Sequence, residues 1–172
     1  MFMSLLNHSS LRLYVVLLDL DEIIVPLKGQ NYLDLIKHEN STFGAYQIRN
    51  SFVPLQWKED SYFKNNSALR RFPINALRYS QRQSMIWMPR MRSKWIARPE
   101  AVNFVEIHFP DSLVKPFRQY LVPETDAIVY HYRKKLTNNL SSDEEIAAEA
   151  KRVFEFSDKI LEQLQVLEKE IY

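Results

Sequence analysis

The segment Asp19-Leu20-Asp21-Glu22 is where this chain concentrates groups able to do chemistry. It follows residues 11–18, which are apolar except for Arg12 and rich in large and β-branched side chains. That pattern reads as a short buried strand ending in carboxylates. Side chains alternate faces along a strand, so the spacing predicts that Asp19 and Asp21 point the same way while Leu20 points into the core. In α/β sheets ligands bind in the crevice beyond the carboxyl ends of the strands. Two like charges this close repel unless a cation lies between them or one takes up a proton. A hard divalent ion such as Mn²⁺ or Mg²⁺, held through oxygen, answers that need. The plainer alternative is a pair of solvated turn carboxylates after a strand. Arg90, Arg92 and Lys94 fall at i, i+2 and i+4, so a strand there aligns three cations, with Arg98 nearby. Facing a bound anion they would hold phosphate oxygens; otherwise they are the charged guard of an exposed sheet edge. Of the four histidines, His108 and His131 close apolar strand-like runs, Val105-Glu106-Ile107 and Ile128-Val129-Tyr130. Either is a candidate ligand or a structural imidazole.

Composition limits what else the chain can be. The 172 residues are 46% apolar, 13% aromatic and 26% charged, with a formal net charge of +2, which is the composition of a folded domain. Cysteine is absent, which excludes disulfides, thiolate zinc sites and cysteine nucleophiles. The two glycines, Gly29 and Gly44, cannot build a dinucleotide-binding or phosphate-binding glycine loop. The apolar run 11–18 is too short for a spanning helix, which needs about 20 residues, and it lacks the small-residue cleavage site of a signal peptide. Asn-x-Ser/Thr occurs at Asn7, Asn40, Asn65 and Asn139, where chance gives about one such triplet. It is either coincidence or a sign of glycosylation in the secretory lumen.

The elements that must position these groups follow from periodicity and punctuation. The strand 11–18 is followed by a short apolar continuation, Ile23-Ile24-Val25, stopped by Pro26. The spacing predicts a short helix over 31–37 and strands over 42–48, 94–96, 102–109 and 127–132. Between Ser61 and Pro99 there is no acid but nine cations, and no clear period, so a long loop is expected there. From Asp143 to Tyr172 nine acids face four bases. There Ser142-Asp143-Glu144-Glu145 makes a capping box, and apolar residues from Ile146 to Ile171 recur by threes and fours. An amphipathic helix of about 28 residues is expected, docked on the domain or coiled with a partner.

Several of these segments together resemble one family. Tyr14 to Pro26, with its acidic centre, is similar to the signature of glycosyltransferase family 92, whose members are GT-A type enzymes. Arg92-Ser93-Lys94-Trp95-Ile96-Ala97-Arg98-Pro99 resembles its Arg-x-Lys-x-Ile-x-Arg-Pro segment. Val105-Glu106-Ile107-His108-Phe109 and Val129-Tyr130-His131-Tyr132-Arg133 resemble its two later strands. The resemblance implies an α/β fold with a partial GT-A-like mixed sheet flanked by helices. Residues 1–140 would form the C-terminal part of the catalytic domain and 141–172 the long helix. It implies transfer of a sugar, galactose by expectation, from a UDP-sugar to a glycan acceptor, with inversion and with Mn²⁺ (or Mg²⁺). Asp19, Asp21 and a late His, of which His131 is the choice and His108 the second, would hold the metal. Lys94, Arg98, Arg133 and His108 would meet phosphate or sugar oxygens. The general base is unassigned, Asp60 being a weak candidate. Residence in the Golgi or secretory lumen is implied, with membrane attachment only through an N-terminal anchor of a full-length form and no nucleic-acid partner.

The earlier βαβ portion that holds uracil and ribose in such domains has no counterpart before residue 14. The resemblance therefore implies a shortened catalytic domain with weak or no UDP binding alone. Two other readings compete on residues alone. A haloacid dehalogenase-like phosphatase would use Asp19 as nucleophile and Asp21 as general acid, but Glu22 departs from that pattern and no later acidic motif is present. A non-catalytic basic module would use the acid-free stretch with its interleaved aromatics to bind nucleic acid.

Overall fold

The computed structural model describes residues 2–7, 13–28, 31–36, 42–72, 74–134, 146–147, 162 and 165. The chain runs through β1 (Phe2–Asn7), β2 (Leu13–Leu18), β3 (Glu22–Pro26), α1 (Tyr32–Ile36), β4 (Phe43–Ile48) and β5 (Asn50–Pro54). Short helices α2 (Ser61–Asn65), α3 (Ser67–Arg71) and α4 (Asn75–Arg78) lead to β6 (Arg82–Gln83) and β7 (Lys94–Ala97). A 3-10 turn at Pro99–Ala101 precedes β8 (Val102–Val105), β9 (Pro110–Leu113), β10 (Arg118–Leu121), β11 (Ala127–Arg133) and β12 (Ile146–Ala147). The α/β expectation holds, with mixed sheets and short helices.

Two compact units divide the chain: Met1–Ser51 with Ile86–His131, and Phe52–Met85 with Tyr132–Tyr172. In the first, a five-stranded sheet has the order β1-β2-β7-β4-β10. Its pairs are antiparallel except β4 with β10, which is parallel. A second sheet has the order β3-β11-β5. Alternation along the strands explains why both faces of the larger sheet are apolar. Tyr14 and Val16 of β2, Ile96 of β7 and Tyr46 and Ile48 of β4 face one cluster, joined there by Ile24 of β3 and Val129 of β11. Leu17, Trp95, Ala97 and Ala45, the intervening residues, form a cluster on the other face. A strand buried on both faces carries a near-continuous apolar run, which is what made β2 legible.

In the second unit the acid-free stretch is not one long loop. Asp60 caps α2 by accepting from the Tyr62 N–H at 2.7 Å, and Asn66 caps α3 by accepting from Ala68 and Leu69. Each carboxylate or amide satisfies amides that a helix start leaves unpaired, and Phe63, Leu69 and Leu77 are buried. These helices are four or five residues long, too short to show a period, so sequence reading missed them.

Other expectations need correction. The strand expected over 102–109 is a hairpin: β8 pairs antiparallel with β9, and Glu106–Phe109 form the connection. The capping box lies outside the described residues, as does most of the expected C-terminal helix. Ile146 and Ala147 are not a helical first turn but pair antiparallel with Gln83 and Arg82. Strand partners offered by the fold override local helical spacing. Glu162 and Gln165 are helical.

Gly44 in β4 marks a close approach of strand and turn. A Cβ at this position would overlap that of Ala101 and come within 2.8 Å of Phe117 Cβ. Gly44→Ala is expected to lower stability by about 1–3 kcal/mol through overpacking. The check is a lowered urea midpoint with an unchanged slope.

Candidate active site

The acids after β2 do not continue the strand. Asp19 to Glu22 form a tight turn between β2 and β3, in which the Glu22 N–H donates to the Asp19 carbonyl at 3.2 Å. The Asp19 N–H in return donates to the Glu22 carboxylate at 3.1 Å. Leu20 sits at the tip, 76% exposed, which overturns its expected place in the core. A turn swings the residue between the two acids outward, where strand alternation would have turned it inward.

Four strands supply the groups around this turn. β7 lies beside β2, with Trp95 opposite Leu17, so Lys94 reaches the turn that leaves β2. Its ammonium bridges Asp19 Oδ2 at 2.8 Å and Glu22 Oε2 at 3.0 Å. β3 and β11 are antiparallel, and their register sets Glu22 directly opposite His131. His131 then lies between two acids. Its Nε2 is 3.2 Å from Asp21 Oδ2. Its buried Nδ1 is 3.2 Å from Glu22 Oε1, an ion-pair distance short of full hydrogen-bond alignment. The side chains of Lys94 and Glu22 are each 1% exposed, while Asp19 and Asp21 are 40% and 47% exposed.

The electrostatics follow from these contacts. The Lys94 ammonium, donating to Asp19, holds that carboxyl below its ordinary 3.8 against the opposing effect of burial. Burial pushes the Glu22 carboxyl up, but His131, the Asp19 N–H and Lys94 outweigh it, so the net shift from 4.5 is downward. Three carboxylates against one ammonium leave a local surplus of negative charge. Its solvent side is Asp21 with His131 Nε2, and such a pair suits a cation.

Structure thus brings together four of the residues singled out by sequence, Asp19, Asp21, His131 and Lys94. It adds Glu22, which sequence reasoning noted only as a departure from the phosphatase pattern. The expected ridge of Arg90, Arg92 and Lys94 is absent. Arg90 has a positive φ of 72° in a turn after Pro89, and its guanidinium lies 5.0 Å from the Phe109 ring centre. Arg92 lies over Trp87, and only Lys94 belongs to a strand. Arg98 is buried, with Nε 3.4 Å from the Tyr14 hydroxyl and its guanidinium near the Tyr14 and Phe117 rings. His108 sits in the β8–β9 connection, where its carbonyl accepts from Gln47. Arg133 lies over Phe52 in the second unit. Asp60 there has both oxygens in use, one capping α2 and one accepting from the Ser80 hydroxyl.

Among the described residues no group of three or more acids and histidines is arranged so that it could hold a metal ion. Asp21 and His131 face each other on the solvent side of the cluster, and Asp19 turns one oxygen to Lys94. The donors themselves, two part-exposed carboxylates and an imidazole, are those an Mn²⁺ or Mg²⁺ ion accepts. No helix among the described residues is long and apolar enough to cross a membrane.

The family model described as glycosyltransferase family 92 matches residues 5–167, nearly the whole chain. None of the curated proteins matches it. The family match favours a transferase over the phosphatase and the basic module. Of the nine cations in the acid-free stretch, Arg78 is tied to Glu59 and Arg82, Lys94 and Arg98 are buried, while Lys64, Arg70, Arg71 and Arg90 are exposed.

Breaking the buried pair at Lys94 leaves Glu22 desolvated without its cation. Lys94→Met is therefore expected to cost about 3–5 kcal/mol at pH 7. Because both folded carboxyl pKa values lie below 4.5 and 3.8, their stabilisation is complete above that range. It is lost as pH falls through the lower folded values. Urea unfolding at pH 7 and in acid should show the wild-type chain losing this contribution on acidification, whereas Lys94→Met loses much less.

Proposed function

The chain belongs to glycosyltransferase family 92, and from that premise we propose that it transfers a sugar from a UDP-sugar, galactose by preference, to a glycan acceptor. The transfer inverts the anomeric carbon and depends on Mn²⁺ or Mg²⁺. The observation that supports this reading is the half-exposed Asp21 carboxylate set 3.2 Å from His131 Nε2 beside a second acid. Asp21, His131 and the free oxygen of Asp19 would hold the ion. When bound, it would act as a Lewis acid toward negative charge growing on the departing diphosphate.

The chain's own residues do the rest. Lys94 is engaged with Asp19 and Glu22, so its work is to hold the acids in place rather than to grip the donor. On charge and hydrogen-bonding capacity alone, Arg98, Arg133 and His108 are assigned to phosphate or sugar oxygens. The general base for the acceptor hydroxyl stays unassigned, since Asp60 already has two partners. A Golgi or secretory-lumen setting fits the chemistry. It also fits Asn65, an exposed asparagine at the end of α2 in the triplet Asn65-Asn66-Ser67.

The test is Asp21→Asn in an intact parent chain. Metal-dependent release of UDP from UDP-galactose is expected to fall by about 100-fold or more, about 2.7 kcal/mol of barrier, with an unchanged circular dichroism spectrum. Undiminished turnover, or turnover indifferent to Mn²⁺, overturns the metal role.

A further inference from the structure

Asn65 and Tyr62 belong to the second compact unit, away from the acids and the histidine. Of the four Asn-x-Ser/Thr triplets, Asn65-Asn66-Ser67 is the one whose three residues are all among the described ones. Asn65 ends α2, Asn66 is extended with φ −105° and ψ 107°, and Ser67 begins α3. Asn65 and Ser67 are both exposed. A serine at a helix start is ordinarily drawn into capping. Here Asn66 does that work, its side-chain oxygen accepting from the Ala68 and Leu69 N–H groups at 3.0 and 3.2 Å. Among the described residues neither the Ser67 hydroxyl nor the Asn65 amide has a hydrogen-bond partner.

Tyr62 stands three residues before Asn65 in α2. Residues three apart on a helix are neighbours on one face, so the ring and the amide lie side by side. Tyr62 is 45% exposed. An aromatic face carries negative charge density, which suits the C–H face of a pyranose. The triplet supplies an acceptor, and the ring independently supplies a surface for the sugar next to it.

We propose that Asn65 is the attachment site of an N-linked glycan whose first sugar lies against the Tyr62 ring. This rests on the secretory setting of the reading above and on none of its metal chemistry. In the attaching step Asn65 Nδ2 bonds to the anomeric carbon of a lipid-diphosphate oligosaccharide. The bond from that carbon to the diphosphate breaks, and the diphosphate leaves with the electron pair. The amide gives up one proton to a base of the transferring enzyme. The linked amide stays uncharged and the bulky glycan stays in water, so the caps of α2 and α3 are undisturbed.

Two measurements test this on the full chain, carried into the secretory lumen of a eukaryotic cell behind a cleavable leader. The first is mass mapping after peptide N-glycosidase treatment in ¹⁸O water, which turns a glycosylated Asn into labelled Asp. Label at Asn65 is expected in the wild type and is lost in Ser67→Ala; an unlabelled Asn65 overturns the proposal. The second compares melting temperatures. Tyr62→Ala is expected to lower the melting temperature by about 2–4 °C more in the glycosylated chain than in the Asn65→Gln background. Equal losses overturn the contact between ring and sugar. Should Tyr62→Ala fail to fold, Tyr62→Leu, which keeps apolar bulk without the ring, takes its place. Asp21→Asn is expected to leave the label at Asn65 unchanged, so a failure here leaves the transferase reading standing.

Discussion

A lysine ammonium taken out of water costs several kcal/mol unless carboxylates meet it, and Lys94 meets two. The acids need it equally. Two carboxylates about 4 Å apart repel by about 4 kcal/mol at the effective dielectric of a protein surface. The turn from Asp19 to Glu22 brings three of them into one place. Lys94 arrives from a strand 75 residues away in sequence, inserted next to β2 by the sheet order rather than by chain proximity. Turn, sheet order and ion pair are therefore one constraint. Moving β7 by one residue would flip Lys94 to the opposite face and leave the acids without a counter-charge.

That register is held by apolar packing on both faces of the sheet. Ile96 fixes one face of β7 among Tyr14, Val16, Tyr46 and Ile48. Trp95 and Ala97 fix the other with Leu17 and Ala45. The Trp95 indole N–H also donates to the Glu106 carbonyl at 3.0 Å, which ties the β8–β9 connection to the same strand. The second sheet is held to the first through shared core residues, Ile24 and Val129, the strand neighbours of the site residues on β3 and β11. Burial of these side chains thus sets the distance between the charged ones.

What could be read in the sequence was what local pattern controls. β2, β4, β7 and β11 and the short α1 were legible because each carries an apolar run or spacing bounded by Pro, Gly or charge. Asp19 and Asp21 were legible as a pair because their chemistry is unusual after such a run. The turn was not, since strand alternation and a β-turn both bring those two acids together; only the exposure of Leu20 separates them. Glu22 was invisible as a site residue because its partners, Lys94 and His131, are chosen by strand register over long separations. The cation ridge failed for the opposite reason. The i, i+2 spacing of Arg90, Arg92 and Lys94 was local, but the left-handed backbone at Arg90 removes two of them from any strand.

The acids of the turn divide their work by environment rather than by type. Glu22 is buried against a cation and stays ionised as part of the framework, so it can hold other groups but cannot receive a ligand. Asp21, half in solvent and beside an imidazole, spends little on structure and keeps its oxygens for whatever enters. Asp19 stands between, one oxygen given to Lys94 and its carboxyl pulled downward by that contact. Such a gradient, from fixed anion to open anion across one four-residue turn, offers negative charge outward without letting the turn collapse. A diphosphate bears the same sign, so under the proposed transfer a cation would have to accompany it to this face.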